Sequence, residues 1–278
     1  YVTTYYHNQP TEAGADPVTI SAPNLADHID AALVRGGMIF GKVTDAATGA
    51  PITSGSIRIY NADGTFAMYG RLTFLGGYHS ETGLPSGSYR VKASDNNSGY
   101  VDEFYNDKLT LATANPVVLS APNDLTGINF ALAKGGLITG HVTAKDTGAP
   151  FTDGYIMVYD SGDNLVGYGQ IEDDGSYTVL DGLASGNYRV AAVPYTFSGA
   201  GRVSLARATS KPAPAGLARA QMRLAALGSS QSSGYTTTFY QGSVALSAAT
   251  AVPIVAPNTT NGIDIAVLHG VLIPITRR

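Results

Sequence analysis

"GLPSGSYRV" occupies Gly83 to Val91, and "GLASGNYRV" returns at Gly182 to Val190, ninety-nine residues further on. In the first copy Gly83 and Gly87 permit positive φ and Pro85 presets a turn, after which Tyr89, Val91 and Ala93 alternate with Arg90 and Lys92. A period of two after a tight turn is a half-buried strand. The second copy keeps Tyr188, Val190 and Ala192 on the inward face and Arg189 outward. One copy suffices for catalysis, so a phrase written twice reads as scaffold.

The repetition extends well beyond this phrase. A shift of 99 pairs Gly41 with Gly140, Val43 with Val142, Gly49 with Gly148, Pro51 with Pro150, Ile57 with Ile156, Tyr69 with Tyr168 and Tyr78 with Tyr177, without a gap. The same shift lays "YYHNQPTEAGADPVTISAPN" on "FYNDKLTLATANPVVLSAPN", and a shift of 135 carries the latter onto "FYQGSVALSAATAVPIVAPN". The organisation is therefore the tail of one repeat at 1–36, a full repeat at 37–135, a repeat at 136–270 enlarged by an insertion at about 197–231, and a terminal strand at 271–278. Segments such as "MIFGKVT", "SIRIYNA", "GSYRVKA", "VDEFYN", "PVVLSA" and "INFALA", punctuated by "ATGAP", "NADG" and "LPSG", predict an all-β chain of tandem antiparallel β-sandwiches.

The string "GLITGHVTAKDTGAPFTDGYIMVYDSGDNLVGYGQIEDDGSYTVLDGLASGNYRV" resembles the carboxypeptidase regulatory-like, prealbumin-like β-sandwich repeats of secreted bacterial proteins. The repeat is also similar to the B-type repeats of collagen adhesins. Both resemblances imply an Ig-like or prealbumin-like sandwich, and modules of this kind serve as stalks, spacers, adhesive arms and enzyme appendages. The second also implies an isopeptide between a lysine and an Asn or Asp, with Lys42 and Asn129 the matching positions. The acid that would assist it falls near Ala93 or Ala192, and His141 stands where the second repeat would need the lysine, so no such bond is expected.

Catalytic motifs are missing. The five histidines, His7, His28, His79, His141 and His269, are scattered, and there is no G-x-S-x-G, phosphate loop or dinucleotide fingerprint. With no cysteine, disulfides and thiolate metal sites are excluded. No cofactor is expected. Asp160, Asp163, Glu172, Asp173 and Asp174 gather around two predicted turns, where oxygen ligands on adjacent loops would suit Ca²⁺; solvated turn acids are the plainer reading. Tyr5, Tyr6, Phe104, Tyr105, Phe239 and Tyr240 recur at one place in each repeat, which argues for packing.

The insertion places Leu217, Ala220, Leu224 and Leu227 on one helical face, and reads either as a mostly helical contact element or as a disordered loop. Charge divides unevenly: residues 1–181 carry 9 Lys/Arg against 20 Asp/Glu, and residues 182–278 carry 8 against Asp264 alone. No nucleic-acid motif accompanies the basic part, and no apolar run is long enough to span a bilayer. The chain opens at Tyr1 without Met, as a processed or trimmed product would.

Together these features predict a non-catalytic, extracellular or cell-surface structural repeat protein, a subunit of a filament, stalk or adhesive structure. Its expected partners are other copies of itself, joined head to tail, with a glycan or cell-surface component as a further candidate and no nucleic acid. Val271, Leu272, Ile273 and Ile275 would supply a donated strand, with Leu217 and Leu224 as further assembly contacts. The alternative is an accessory glycan-binding or spacer region of a secreted hydrolase.

Overall fold

The alternation Ile57-Arg58-Ile59 and Tyr89-Arg90-Val91 builds two neighbouring strands that bury Ile57, Ile59, Tyr89 and Val91 and turn both arginines outward. In the computed structural model, residues 1–9, 12–23, 25–94, 98–195, 197–198, 202–203 and 234–270 are described. They form two units: one comprises the described residues within 1–94 and 102–132, the other those within 98–101 and 133–270.

The first unit contains β1 (Phe40–Asp45), β2 (Ser56–Asn61), β3 (Phe66–Leu72), β4 (Gly77–Ser80), β5 (Gly87–Ser94), β6 (Glu103–Phe104), β7 (Val117–Leu119) and β8 (Phe130–Leu132). They run in the order β6-β5-β2-β3-β4-β1-β8, with β7 also on β5. All pairings are antiparallel except β1 with β8. The sheet curls over a core that includes Ile39, Val43, Ile57, Ile59, Val91, Leu119, Phe130 and Leu132.

The second unit repeats this plan with longer strands: β9 (Gly136–Ala144), β10 (Gly154–Tyr159), β11 (Leu165–Ile171), β12 (Ser176–Leu183) and β13 (Gly186–Pro194). After these come β14 (Phe197–Ser198), β15 (Arg202–Val203), β16 (Tyr235–Thr236), β17 (Thr238–Phe239), β18 (Val252–Ile254), β19 (Thr259–Thr260) and β20 (Ile265–His269). The order is β16-β20-β9-β12-β11-β10-β13-β17, and β18 lies on β13 as β7 lies on β5. Ile138, Val142, Ile156, Val158, Val179, Val190, Ile254 and Ile265 lie in its core.

Two departures from the sequence reading have physical causes. The boundary at 135 moves, because residues 98–101 belong with the second unit: Val101 N–H donates to the Ala133 carbonyl at 2.9 Å, and Lys134 Nζ lies 3.6 Å from the centre of the Tyr100 ring. The insertion opens with a two-stranded hairpin, β14 with β15, where a helix or disorder was expected. Leu217, Leu224 and the rest of the helical face lie outside the described residues.

The repeated phrase is a turn lock. Tyr89 Oη donates to the Pro85 carbonyl at 2.9 Å, and Tyr188 Oη to the Ala184 carbonyl at 2.7 Å. The leucine of each phrase is buried; Leu84 exchanges two backbone hydrogen bonds with Gly37, and Leu183 pairs with Gly136. A second tyrosine ties the layers together: Tyr78 Oη donates to the Ile128 carbonyl at 2.6 Å, and Tyr177 Oη to the Ile263 carbonyl at 2.5 Å. Burial pushes both phenol pKa values up, so both hydroxyls stay protonated and donate at any ordinary pH. Tyr78→Phe leaves a buried carbonyl without its donor and is expected to cost about 1–2 kcal/mol. Urea unfolding checks this; a variant as stable as the parent would remove the bond from the account.

Candidate functional site

The five carboxylates proposed for Ca²⁺ do not converge. Asp160 and Asp163 lie in the turn before β11 and Glu172, Asp173 and Asp174 in the turn after it, so seven residues of strand, on the order of 23 Å, separate the groups. The sequence reading took successive turns for adjacent loops, whereas a strand's two turns sit at its opposite ends. The acids also serve their own turns. Asp160 Oδ1 accepts from the Gly162 and Asn164 N–H groups at 2.9 Å each, Asp163 pairs with Arg189 at 2.6 Å, and Asp174 accepts from Ser176 N–H at 2.9 Å. Among the described residues no three His or acidic side chains gather as metal ligands.

Lys42 and Asn129 do meet, but through the backbone. Asn129 Oδ1 accepts the Lys42 N–H at 3.0 Å while the lysine residue is exposed, and Asp264 Oδ1 accepts the His141 N–H at 2.8 Å in the second unit. The shared position satisfies a backbone donor of the first strand. Ala93 and Ala192 are buried; Ala93 stands opposite the buried Glu103 of β6, and Ala192 stands opposite Thr238 of β17. The recurring aromatics divide: Phe104 and Phe239 are buried as expected, while Tyr5 and Tyr6 are half-buried.

Sequence reasoning missed Glu103. It is 7% exposed on β6, opposite Ala93, and receives the Ala131 N–H. Burial, and then the neighbouring Asp107 carboxylate, push its pKa up to about 7. Thr238 occupies the equivalent place in the second unit, so the one available signal was an acid where the other repeat keeps a small neutral residue.

The most distinctive surface lies in residues 1–36. Ile20 is 70% exposed, whereas its equivalents Leu119 and Ile254 are 1% and 2% exposed; Leu33 is 52% exposed against 1% for Leu132 and 0% for Val267. Val18 and Ile29 follow the same rule against Val117 and Ile128. These side chains have the character and spacing of sandwich core, and in both units the equivalent segments are covered by β5 and β1 or by β13 and β9. Leaving such a residue in water forgoes about 1.5–3 kcal/mol. The segment presents these core-type side chains to water. Val271, Leu272, Ile273 and Ile275 lie outside the described residues.

No protein-family model matches the chain, and no curated protein matches it in sequence. Among solved structures it is similar to a streptococcal ancillary pilin at 14% identity and TM-score 0.34, covering 94% of this chain and 68% of that one. It is also similar to GBS52, the minor pilin of Streptococcus agalactiae, at 12% identity and TM-score 0.33, covering 87% and 100% of the respective chains. For the Bacillus anthracis TIE protein the values are 14% identity and TM-score 0.30, and the alignment spans 83% of this chain and 34% of that longer one. No described helix is long and apolar enough to cross a membrane.

Proposed function

We propose that this chain is a non-catalytic structural repeat protein of the cell surface or extracellular space, a subunit of a filament, stalk or adhesive structure built head to tail by β-strand complementation. The carboxypeptidase regulatory-like resemblance belongs to this reading as an account of the repeat's type. One observation carries the proposal: Val18, Ile20, Ile29 and Leu33 hold core positions of a sandwich yet stand in water. A surface of this kind is relieved when another polypeptide supplies the missing neighbours.

The apolar strand Val271–Ile275 of a second copy is the proposed complement, and a contact between unlike ends propagates instead of closing. Its register is constrained. By the 135-residue shift Ile275 falls where the repeat has Gly140, and a Cβ there would lie 2.6 Å from the Ile263 carbonyl carbon. As a first strand in that register Ile275 would meet this close approach, so the donated strand is proposed to lie along the exposed 18–33 surface in a shifted register.

Deleting 271–278 and, separately, 1–36 tests the mechanism. Electron microscopy should find filaments with the full chain and none with either truncation, and the filaments should weaken in salt if the acidic and basic halves contribute. Equal assembly by both truncated chains would overturn it.

A further inference from the structure

The outward face of the first unit's sheet carries cations and rings in one continuous field. Arg58 stands directly opposite Lys92 on β5 and Tyr69 on β3. Tyr60 stands between Arg90 and Phe66 in the same way, and Arg71 faces His79 on β4. Phe66 and Tyr69 are each 47% exposed, with ring centres 4.8 Å apart. The inward residues of the same strands, Ile57, Ile59 and Val91, are core, so the alternation assigns this set wholly to the outside.

Charge on this face is poorly compensated. Lys92 pairs with Asp102 at 2.8 Å, but Arg58 has no ion pair among the described residues, and Arg90 spends Nη1 on the Ala62 carbonyl. Arg58 Nε, Arg90 Nε and Ser94 Oγ are all shielded from water without a hydrogen-bond partner among the described residues. Like charges directly opposite on neighbouring strands are destabilising, and a shielded donor without an acceptor costs more. The second unit is the internal control. There Met157, Ala191 and Val193 replace Arg58, Lys92 and Ser94, and Arg189 is paired with Asp163. Nothing in the sandwich itself requires the basic field.

We propose that the face formed by Arg58, Tyr60, Phe66, Tyr69, Arg90 and Lys92 binds an acidic polysaccharide of the uronic-acid class. The two exposed rings take the C–H faces of the sugars, and the Arg58 guanidinium takes a carboxylate in charge-assisted hydrogen bonds. Charge density selects this class over nucleic acid. The first unit carries 7 Lys/Arg against 11 Asp/Glu, so a polymer with a charge every 1.7 Å or so would meet more repulsion than attraction, whereas one carboxylate per sugar matches a few clustered cations. The site goes beyond the assembly reading and does not depend on it.

The test uses the full chain and polygalacturonate, with dextran as the neutral polymer and a double-stranded DNA oligonucleotide as the competing polyanion. Calorimetry should detect binding to polygalacturonate alone, weakened by salt. Arg58→Gln and Tyr69→Ala should each weaken it about tenfold or more, whereas Arg189→Gln in the second unit should leave it unchanged. Arg58→Gln relieves a like-charge pair, so its melting temperature should not fall, which separates lost binding from lost fold. No binding to polygalacturonate, binding indifferent to Arg58→Gln in a folded variant, or tighter binding of dextran or the oligonucleotide would each overturn the proposal.

Discussion

Gly41→Ala should destabilise the protein by at least about 3 kcal/mol, whereas Gly49→Ala, eight residues away in the same repeat, should cost about 1–2 kcal/mol. At Gly41 an added Cβ would sit 2.6 Å from both the Ile128 carbonyl carbon and the Tyr78 ring, and closer still to the Ile128 carbonyl oxygen. That carbonyl is fixed from two sides, because it accepts the Tyr78 hydroxyl and its own residue's N–H donates to the Phe40 carbonyl. The strand cannot retreat without breaking the bond between layers. Gly49 presents the opposite case: its φ of +71° strains any side chain, but no atom lies within 4 Å of the new Cβ. Calorimetric unfolding of both variants measures the difference. Equal losses would mean that the close approach relaxes freely and that Gly41 is no more than a permissive strand residue. Gly140 meets the Ile263 carbonyl in the same way, so Gly140→Ala should behave like Gly41→Ala.

The contrast between those glycines marks how far the sequence could be read. Gly41 and Gly49 recur alike at Gly140 and Gly148, and alignment alone treats them as equals. The turn glycine is legible because its cause is local, whereas the cause at Gly41 is a carbonyl 87 positions along the chain. The same division runs through the fold. Period-two patterns and turn signals placed β1, β2, β5, β7 and β8 within a residue or two, since alternation is written strand by strand. The strand segments singled out from the sequence did not include Phe66–Leu72 or Gly77–Ser80, where Gly70 and Gly77 dilute the apolar pattern. The spacing of the five turn acids was illegible for a related reason: Asp163 and Glu172 are near in sequence but lie at opposite ends of β11, a fact of strand length that residue types do not carry. The outward cations were individually visible as Arg58, Arg90 and Lys92. Only the register, with Arg58 opposite Lys92, makes them a field.

Glu103 should make stability fall as pH rises through the range where carboxylates ordinarily strengthen a fold. Its folded pKa of about 7 stands above the usual 4.5, because burial penalises the charged form and Asp107 adds repulsion; the Ala131 N–H only partly offsets them. Folding therefore favours the protonated acid. The contribution is fully present below the unfolded value near 4.5, declines between there and about 7, and is gone above it. Allowing for solvent screening, this amounts to about 1–2 kcal/mol between pH 4.5 and 7.5. Asp63 and Asp174 act in the opposite sense, since hydrogen bonds from Thr65 and Ser176 lower their pKa values, but both are open to water and weigh little. Thr238 shows what the neutral solution looks like: its hydroxyl donates to the Thr236 carbonyl and accepts the Leu268 N–H at 3.1 Å. Glu103→Thr should accordingly stabilise the protein at pH 7.5, leave it little changed at pH 4.5, and flatten the profile between. Urea unfolding across this range, parent beside variant, decides the matter: a parent as stable at pH 7.5 as at pH 4.5, or a variant that gains nothing at the higher pH, would mean that Glu103 ionises in the folded chain without cost.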